Sequence, residues 1–173
     1  MDINSSKEYE IDRVDKEIIR LLSFDGRLSV ANIARRIGAS KTPVQVRLKR
    51  LLKQEYILGF RAILNPKKLK KEHIAFTEVK LLDTREKSLN EFNRAVIEIP
   101  EIEQCHMIAG SFDYLLKTRT KDIVSYRYIL GEAISSLPNV SSTSTFVAME
   151  SFKDIAFKAL KLKSVFWCLG GFS

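Results

Sequence analysis

The spacing of apolar positions changes character partway along the chain. Val14, Ile18, Leu21 and Leu22 fall at i, i+4, i+7 and i+8, which makes one apolar stripe on a helix. Asp12 is placed to cap that helix, and Asp15 falls in its first turn, where negative charge is favoured. Asp25-Gly26 breaks the pattern. Ser29 then caps a second helix whose inner face is Val30, Ile33, Ala34 and Ile37, and Gly38 sits where a left-handed terminus is needed. Ser40 or Thr42 caps a third helix, with Pro43 in its first turn, where the missing N–H is no loss. On this third helix Val44, Leu48, Leu51 and Leu52 are expected to point inward, and Thr42, Gln45, Val46, Lys49, Arg50 and Lys53 outward. Residues 56–64 read as a turn and short strand that ends at Asn65-Pro66.

Past a lysine-rich hinge (Lys67, Lys68, Lys70, Lys71) the period alternates. Residues 74–82 read as a strand, and Leu89, Phe92, Val96 and Ile97 recur at helical spacing until Pro100. Residues 102–109 and 112–119 read as two strands joined at Gly110-Ser111. Tyr126, Ile129, Leu130, Ala133, Ile134 and Leu137 mark a second helix, closed by Pro138-Asn139, and residues 140–149 form a last strand rich in Thr, Ser and Val. The order βαββαβ is that of the ferredoxin-like split βαβ fold, so the chain is read as α+β. Its sheet covers one face with helices and leaves the other for water or a second copy. The divisions expected are an arm 1–10, a three-helix domain 11–59, a strand and hinge 60–73, the βαββαβ domain 74–151 and a tail 152–173.

Charge sharpens this division. The net charge is +8. Residues 27–53 hold eight Lys and Arg and no acid, whereas residues 72–151 hold 8 basic against 12 acidic groups. Only the first domain is therefore expected to face a polyanion. The polar start MDINSSKEYE lacks an apolar signal core, and no run approaches the roughly 20 apolar residues of a membrane span. A soluble cytoplasmic protein with no membrane partner is expected. Cys105 and Cys168 have no metal-ligand spacing and read as reduced thiols.

Two short helices, a tight glycine turn and a third helix with hydroxyl, amide and cationic groups outward describe a helix-turn-helix that reads double-stranded DNA. Ser40, Lys41, Thr42, Gln45, Lys49 and Arg50 belong to this surface. Thr42, Gln45 and Lys49 are the candidates for base edges, and Arg35, Arg36 and Arg47 for phosphates. Nothing suggests an enzyme. His73 and His106 stand in no nucleophile–base pattern, and there is no phosphate loop, HExxH or CxxC. Glu101 and Glu103 read as surface carboxylates. No cofactor or metal is expected. Gly110-Ser111-Phe112-Asp113 is the one loop with the makings of a ligand site: a backbone free to bend, then a carboxylate that suits an ammonium group. A plain hairpin turn is the competing reading.

Four stretches together resemble the Lrp/AsnC family of prokaryotic regulators, closest to its leucine-responsive branch: IDRVDKEIIRLLSFDGRLS, SKTPVQVRLKRL, EQCHMIAGSFDYLLKTR and SSLPNVSSTSTFVAME. The resemblance runs from about Ile11 to Ser151. It implies a transcription regulator in the cytoplasm and on the nucleoid, assembled as dimers and then as an octamer or similar ring. It also implies a small amino-acid effector held between ferredoxin-like domains. By position, Gly110 to Asp113 fall in the effector loop, and Ile123, Ser135, Phe146, Val147 and Ala148 fall where effector response or subunit contact resides. The chain departs from the family at Lys41 for a usual proline, Leu52 for a frequent Glu, Glu55 for a frequent Gly, and Ser135 for a larger apolar residue. These departures bear on sequence preference and effector identity. The competing function is a DNA-organising protein without effector control. Val165, Phe166, Trp167 and Leu169 in the tail, outside the resemblance, are candidates to pack on a neighbouring subunit.

Overall fold

The computed structural model describes residues 10–152 and 154, so the tail positions Val165, Phe166, Trp167, Cys168 and Leu169 lie outside the described residues. The chain divides into two compact units, with the break between Ala62 and Ile63.

The first unit holds α1 (Arg13–Phe24), α2 (Val30–Ile37) and α3 (Lys41–Lys53). Asp12 caps α1 in a reciprocal box: its carboxylate accepts the Asp15 N–H, and the Asp15 carboxylate accepts the Asp12 N–H. Ser29 caps α2 by accepting the Asn32 N–H. Gly38 ends α2 at φ 68°, ψ 34°, a left-handed residue that lets the chain reverse directly into α3. Ile18, Leu21, Leu22, Ile33, Ala34, Val44 and Leu51 close a core, with Val14, Ile37 and Leu48 packed at its edge. Leu52, expected inside, is 37% exposed. One residue past the fully buried Leu51 the helix has turned by about 100°, which carries the side chain off the inner face. Residues 58–65 form no strand either: an extended segment needs a ladder partner, and this one has none among the described residues. Its Leu58 is 89% exposed.

The second unit runs β1 (His73–Leu81), α4 (Glu86–Ile97), β2 (Ile102–Met107), β3 (Tyr114–Thr120), α5 (Ile123–Ile129) with a π turn at Leu130–Ile134, and β4 (Val140–Val147). The sheet order is β2-β3-β1-β4, every pair antiparallel. This is the ferredoxin-like topology that the alternation implied. Ala75, Val79 and Leu81 of β1 and Tyr114 and Leu116 of β3 face Phe92 and Val96 of α4 and Tyr126 and Ile134 of the second helix. Phe92 lies against the Tyr114 ring with centroids 4.4 Å apart. A chain of three hydroxyls, Thr77–Tyr126–Thr145, with 2.7 Å at each step, ties α5 to both β1 and β4. The third strand starts later than the alternation implied, at Tyr114. Asp113 just before it still makes two ladder-like backbone bonds, its N–H to the Val79 carbonyl and its carbonyl to the Ile108 N–H, and Phe112 lies in the loop.

Candidate functional site

The N-terminal surface is set by the reversal at Gly38. Ser40 occupies the cap position of α3, yet its side chain makes no capping bond, so the hydroxyl stays available at the helix start. With Val44 and Leu51 inside, the rotation of the helix leaves Lys41, Thr42, Gln45, Val46, Lys49 and Lys53 exposed. Arg35 and Arg36, in the last turn of α2, are exposed as well, and Arg35 bonds Asn32 Oδ1 at 2.7 Å. One surface thus offers hydroxyls, an amide and several cations without an acid among them. That is the chemistry for phosphates and base edges.

Arg47 and Arg50 differ from this set in being paired with carboxylates of α1 and its cap. Arg47 Nη1 lies 2.6 Å from Asp12 and 2.9 Å from Asp15, and Arg50 Nη2 lies 3.4 Å from Asp15. Asp15 is fully buried. A buried carboxylate is tolerated only when paired, so it draws both guanidinium groups toward α1. Arg47 is therefore engaged with α1 and its cap, with its side chain 28% exposed. Its protonated form is favoured by Asp15 first and Asp12 second. The Asp12 carboxyl is held below its ordinary range, first by the Asp15 N–H and then by Arg47. The signal was present in the spacing: Arg47 follows Val44 by three and precedes Leu51 by four, which sets it on the inner flank.

In the second unit the nine positions singled out for an effector do not converge. Gly110, Ser111, Phe112 and Asp113 form the β2–β3 loop. Ser135 follows the π turn, and the chain then reaches Val140, opposite Leu81, at that same end of the sheet. Ile123 opens α5 just after Thr120, while Phe146 and Val147 pair with Phe76 and Ala75, and Ala148 bonds Ile74, all at the opposite end. Tyr114 pairs with Val79 and Val147 with Ala75, so the two groups stand about 13 Å apart along β1. Asp113 already has a partner, since one of its carboxylate oxygens accepts the Leu81 N–H at 2.7 Å. Gly110 needs no unusual backbone, and a Cβ there would meet only Ile108 at an ordinary 3.5 Å. The chain's own conformation thus gives no reason for glycine at this position.

One cluster was missed from the sequence. On the sheet face away from the helices, Lys117 contacts Asp154 at 2.8 Å and Glu103 at 3.5 Å, and Arg119 contacts the same two acids at 2.8 and 2.5 Å. The Arg119 side chain is only 5% exposed. Glu103, read as a surface carboxylate, is thus half of a paired acid set that holds the segment after β4 against β3. A cleft of 450 Å³ beside it is lined by Asn65, Lys67, Glu72, Ile74, Arg119 and Asp154, among others. Cys105 is half-buried, and burial pushes its thiol up, away from a reactive thiolate. Among the described residues no group of three potential metal ligands occurs, and no helix is long and apolar enough to cross a membrane.

Two family models match. Residues 11–52 match the AsnC-type helix-turn-helix domain, and residues 74–156 match the Lrp/AsnC ligand binding domain. Among relatives, the proline dehydrogenase transcriptional activator of Rhizobium radiobacter is 63% identical, over 87% of this chain and 97% of that one. The leucine-responsive regulatory protein of Escherichia coli (strain K12) is 42% identical, over 83% and 88%. Among solved structures, the feast or famine regulatory protein from M. tuberculosis, complexed with L-methionine, superposes with a TM-score of 0.77 at 27% identity, over 84% of this chain and 97% of that one. The matches span both units in the order in which the helix-turn-helix and the ferredoxin-like sheet occur. The chain belongs to the Lrp/AsnC family, the effector-responsive DNA-binding transcription regulators, and is not an enzyme.

Proposed function

We propose that α3 enters the major groove with Thr42, Gln45 and Lys49 toward base edges, while Ser40, Lys41, Arg35 and Arg36 hold phosphates on either side. The observation that carries this reading is the acid-free outward face of α3, where amide, hydroxyl and ammonium groups stand exposed together. The protein acts in the cytoplasm on the nucleoid as a homo-oligomer of dimers. Its dimer symmetry matches half-sites one helical turn apart. The effector is an amino acid, held by the Gly110–Asp113 loop of one copy against the Ile123 and Phe146–Ala148 end of another. The lack of any need for glycine at 110 in the chain's own conformation and the 13 Å separation of the two groups within one chain both favour a site shared between copies. The similarity to a proline dehydrogenase transcriptional activator makes a proline dehydrogenase gene the first target to try, and proline the first ligand.

The test is fluorescence anisotropy of the full chain on DNA upstream of its own gene, on DNA upstream of a proline dehydrogenase gene, and on a random duplex, each with and without proline, leucine or methionine. Tight salt-sensitive preference for one upstream duplex, shifted by one amino acid, is the expected result. Equal binding to all three with no amino-acid effect would sink the reading in favour of a DNA-organising protein.

A further inference from the structure

The pairing of α1 with α3 has a geometry that ordinary helix packing does not require. Asp15 is fully buried, and its oxygens accept from the Asp12 N–H, Arg47 Nη1 and Arg50 Nη2. Arg47 Nη1 also reaches Asp12, so this guanidinium spans the capping residue and the buried acid together. Arg47 and Arg50 lie one turn apart on the same flank of α3. Two points of attachment one turn apart fix both the rotation of a helix and its height, which greasy contacts leave softer. The guanidinium suits this because its donors are held in a rigid planar fork. Rotation matters here. Turning a helix by roughly 30° moves a side-chain tip roughly 5–6 Å from the axis by about 3 Å. That is the length of a hydrogen bond to a base.

The same contacts settle the electrostatics. Asp12 and Asp15 carry two negative charges and Arg47 and Arg50 two positive ones, so these four groups are together neutral. A neutral cluster releases few counterions from DNA. The cations outside it on this surface are Arg35, Arg36, Lys41, Lys49 and Lys53, all exposed.

We propose that Asp15 is the positioning residue of the recognition helix: it withdraws Arg47 and Arg50 from the phosphate-contacting set and uses them to set the angle at which Thr42, Gln45 and Lys49 meet the bases. This rests on the groove reading of α3 and adds to it a source of sequence preference that never touches DNA. Arg47 then acts on specificity and not on the salt dependence of binding, the reverse of what an exposed arginine on a DNA-binding helix would do.

The experiment is a salt titration of full-length protein by anisotropy, on the preferred and the random duplex, for wild type, Lys49→Ala, Arg47→Gln and Asp15→Asn. Far-UV circular dichroism checks that each variant is folded. Lys49→Ala serves as the reference for a lost phosphate or base cation and should lower the slope of log K against log salt by up to about 0.9. Arg47→Gln should leave the slope at the wild-type value and reduce the preference for the specific duplex by about tenfold, the worth of one displaced base contact. Asp15→Asn removes the buried charge and loosens both guanidinium groups, with Asp12 still holding Arg47, so it should tighten random-duplex binding and steepen the slope. If Asp15→Asn does not fold, Asp12→Asn loosens Arg47 while keeping the cap, and the same steepening is expected in smaller measure. A slope reduced by about 0.9 in Arg47→Gln, with the preference unchanged, would make Arg47 a phosphate contact and overturn the proposal. Slope and preference both unchanged would reduce the pair to fold stability and overturn it as well. A wild-type slope near zero would overturn the groove reading of α3 itself, and this proposal with it.

Discussion

Two residues next to the recognition helix have opposite relations to their backbone. Gly38 adopts φ 68° without strain, because it has no Cβ. Glu55, just past the other end of α3, adopts φ 58° with a full side chain. Left-handed backbone disfavours ordinary L-residues by roughly 1–2 kcal/mol. Glu55→Gly should therefore stabilise the first unit by about 1 kcal/mol or slightly less, read as a raised urea midpoint with unchanged m, the glycine's extra unfolded freedom offsetting part of the gain. The family's frequent glycine at this position thus has a conformational cause, legible once the departure is noticed. Gln45 was also legible as an outward amide. Gln45→Ala should narrow the gap between specific and random DNA by about 1–3 kcal/mol, measured by competition binding. Equal weakening on both duplexes would remove Gln45 from the base-reading set. For Arg47, residue type suggests phosphate, while its place between Val44 and Leu51 sets it beside α1, where it pairs with Asp12 and Asp15.

At the scale of elements, the caps were the most readable features, since a cap is a local hydrogen bond written in four or five residues. Asp12, Ser29 and Gly38 perform the roles their positions imply. Asp122 does the same for α5, accepting the Ser125 N–H. The carboxyls of Asp12 and Asp122 both lie below their ordinary 3.8, the first cause in each being a backbone N–H donated to the carboxylate. The stability contributed by a group with a lowered folded value is fully present above its unfolded value and is lost as pH falls through the folded one. Thermal stability should thus hold down to about pH 5 and fall as the solution is taken below the ordinary value, by circular dichroism melts. Asp12→Asn keeps a capping oxygen but no titrating group, so its melting temperature should fall less steeply over the same window. The short strand expected in 56–64 failed for a different reason. Strand character is a property of a pair, and a β-like segment with no neighbour among the described residues cannot show it.

For the whole molecule, two separate cores account for two units. Leu51→Ala in the first and Leu116→Ala in the second each empty a fully buried site and should destabilise by about 2–5 kcal/mol. Hydrogen exchange should show faster exchange spread through α1–α3 for Leu51→Ala and through the sheet for Leu116→Ala. A single variant that loosens both units equally would contradict two cores. The βαββαβ order was readable because alternation and helical spacing are local. The network of Glu103, Lys117, Arg119 and Asp154 was not, because it unites β2, β3 and a residue beyond β4 that only the folded sheet brings together. The placement of the proposed effector positions at opposite ends of that sheet has a consequence for signalling. A pocket completed by a second copy makes the ligand dose–response depend on how much protein is present: the half-maximal amino-acid concentration should move lower as the regulator is made more abundant. In a cell, the expression level of such a protein would set the threshold at which it senses its own nutrient.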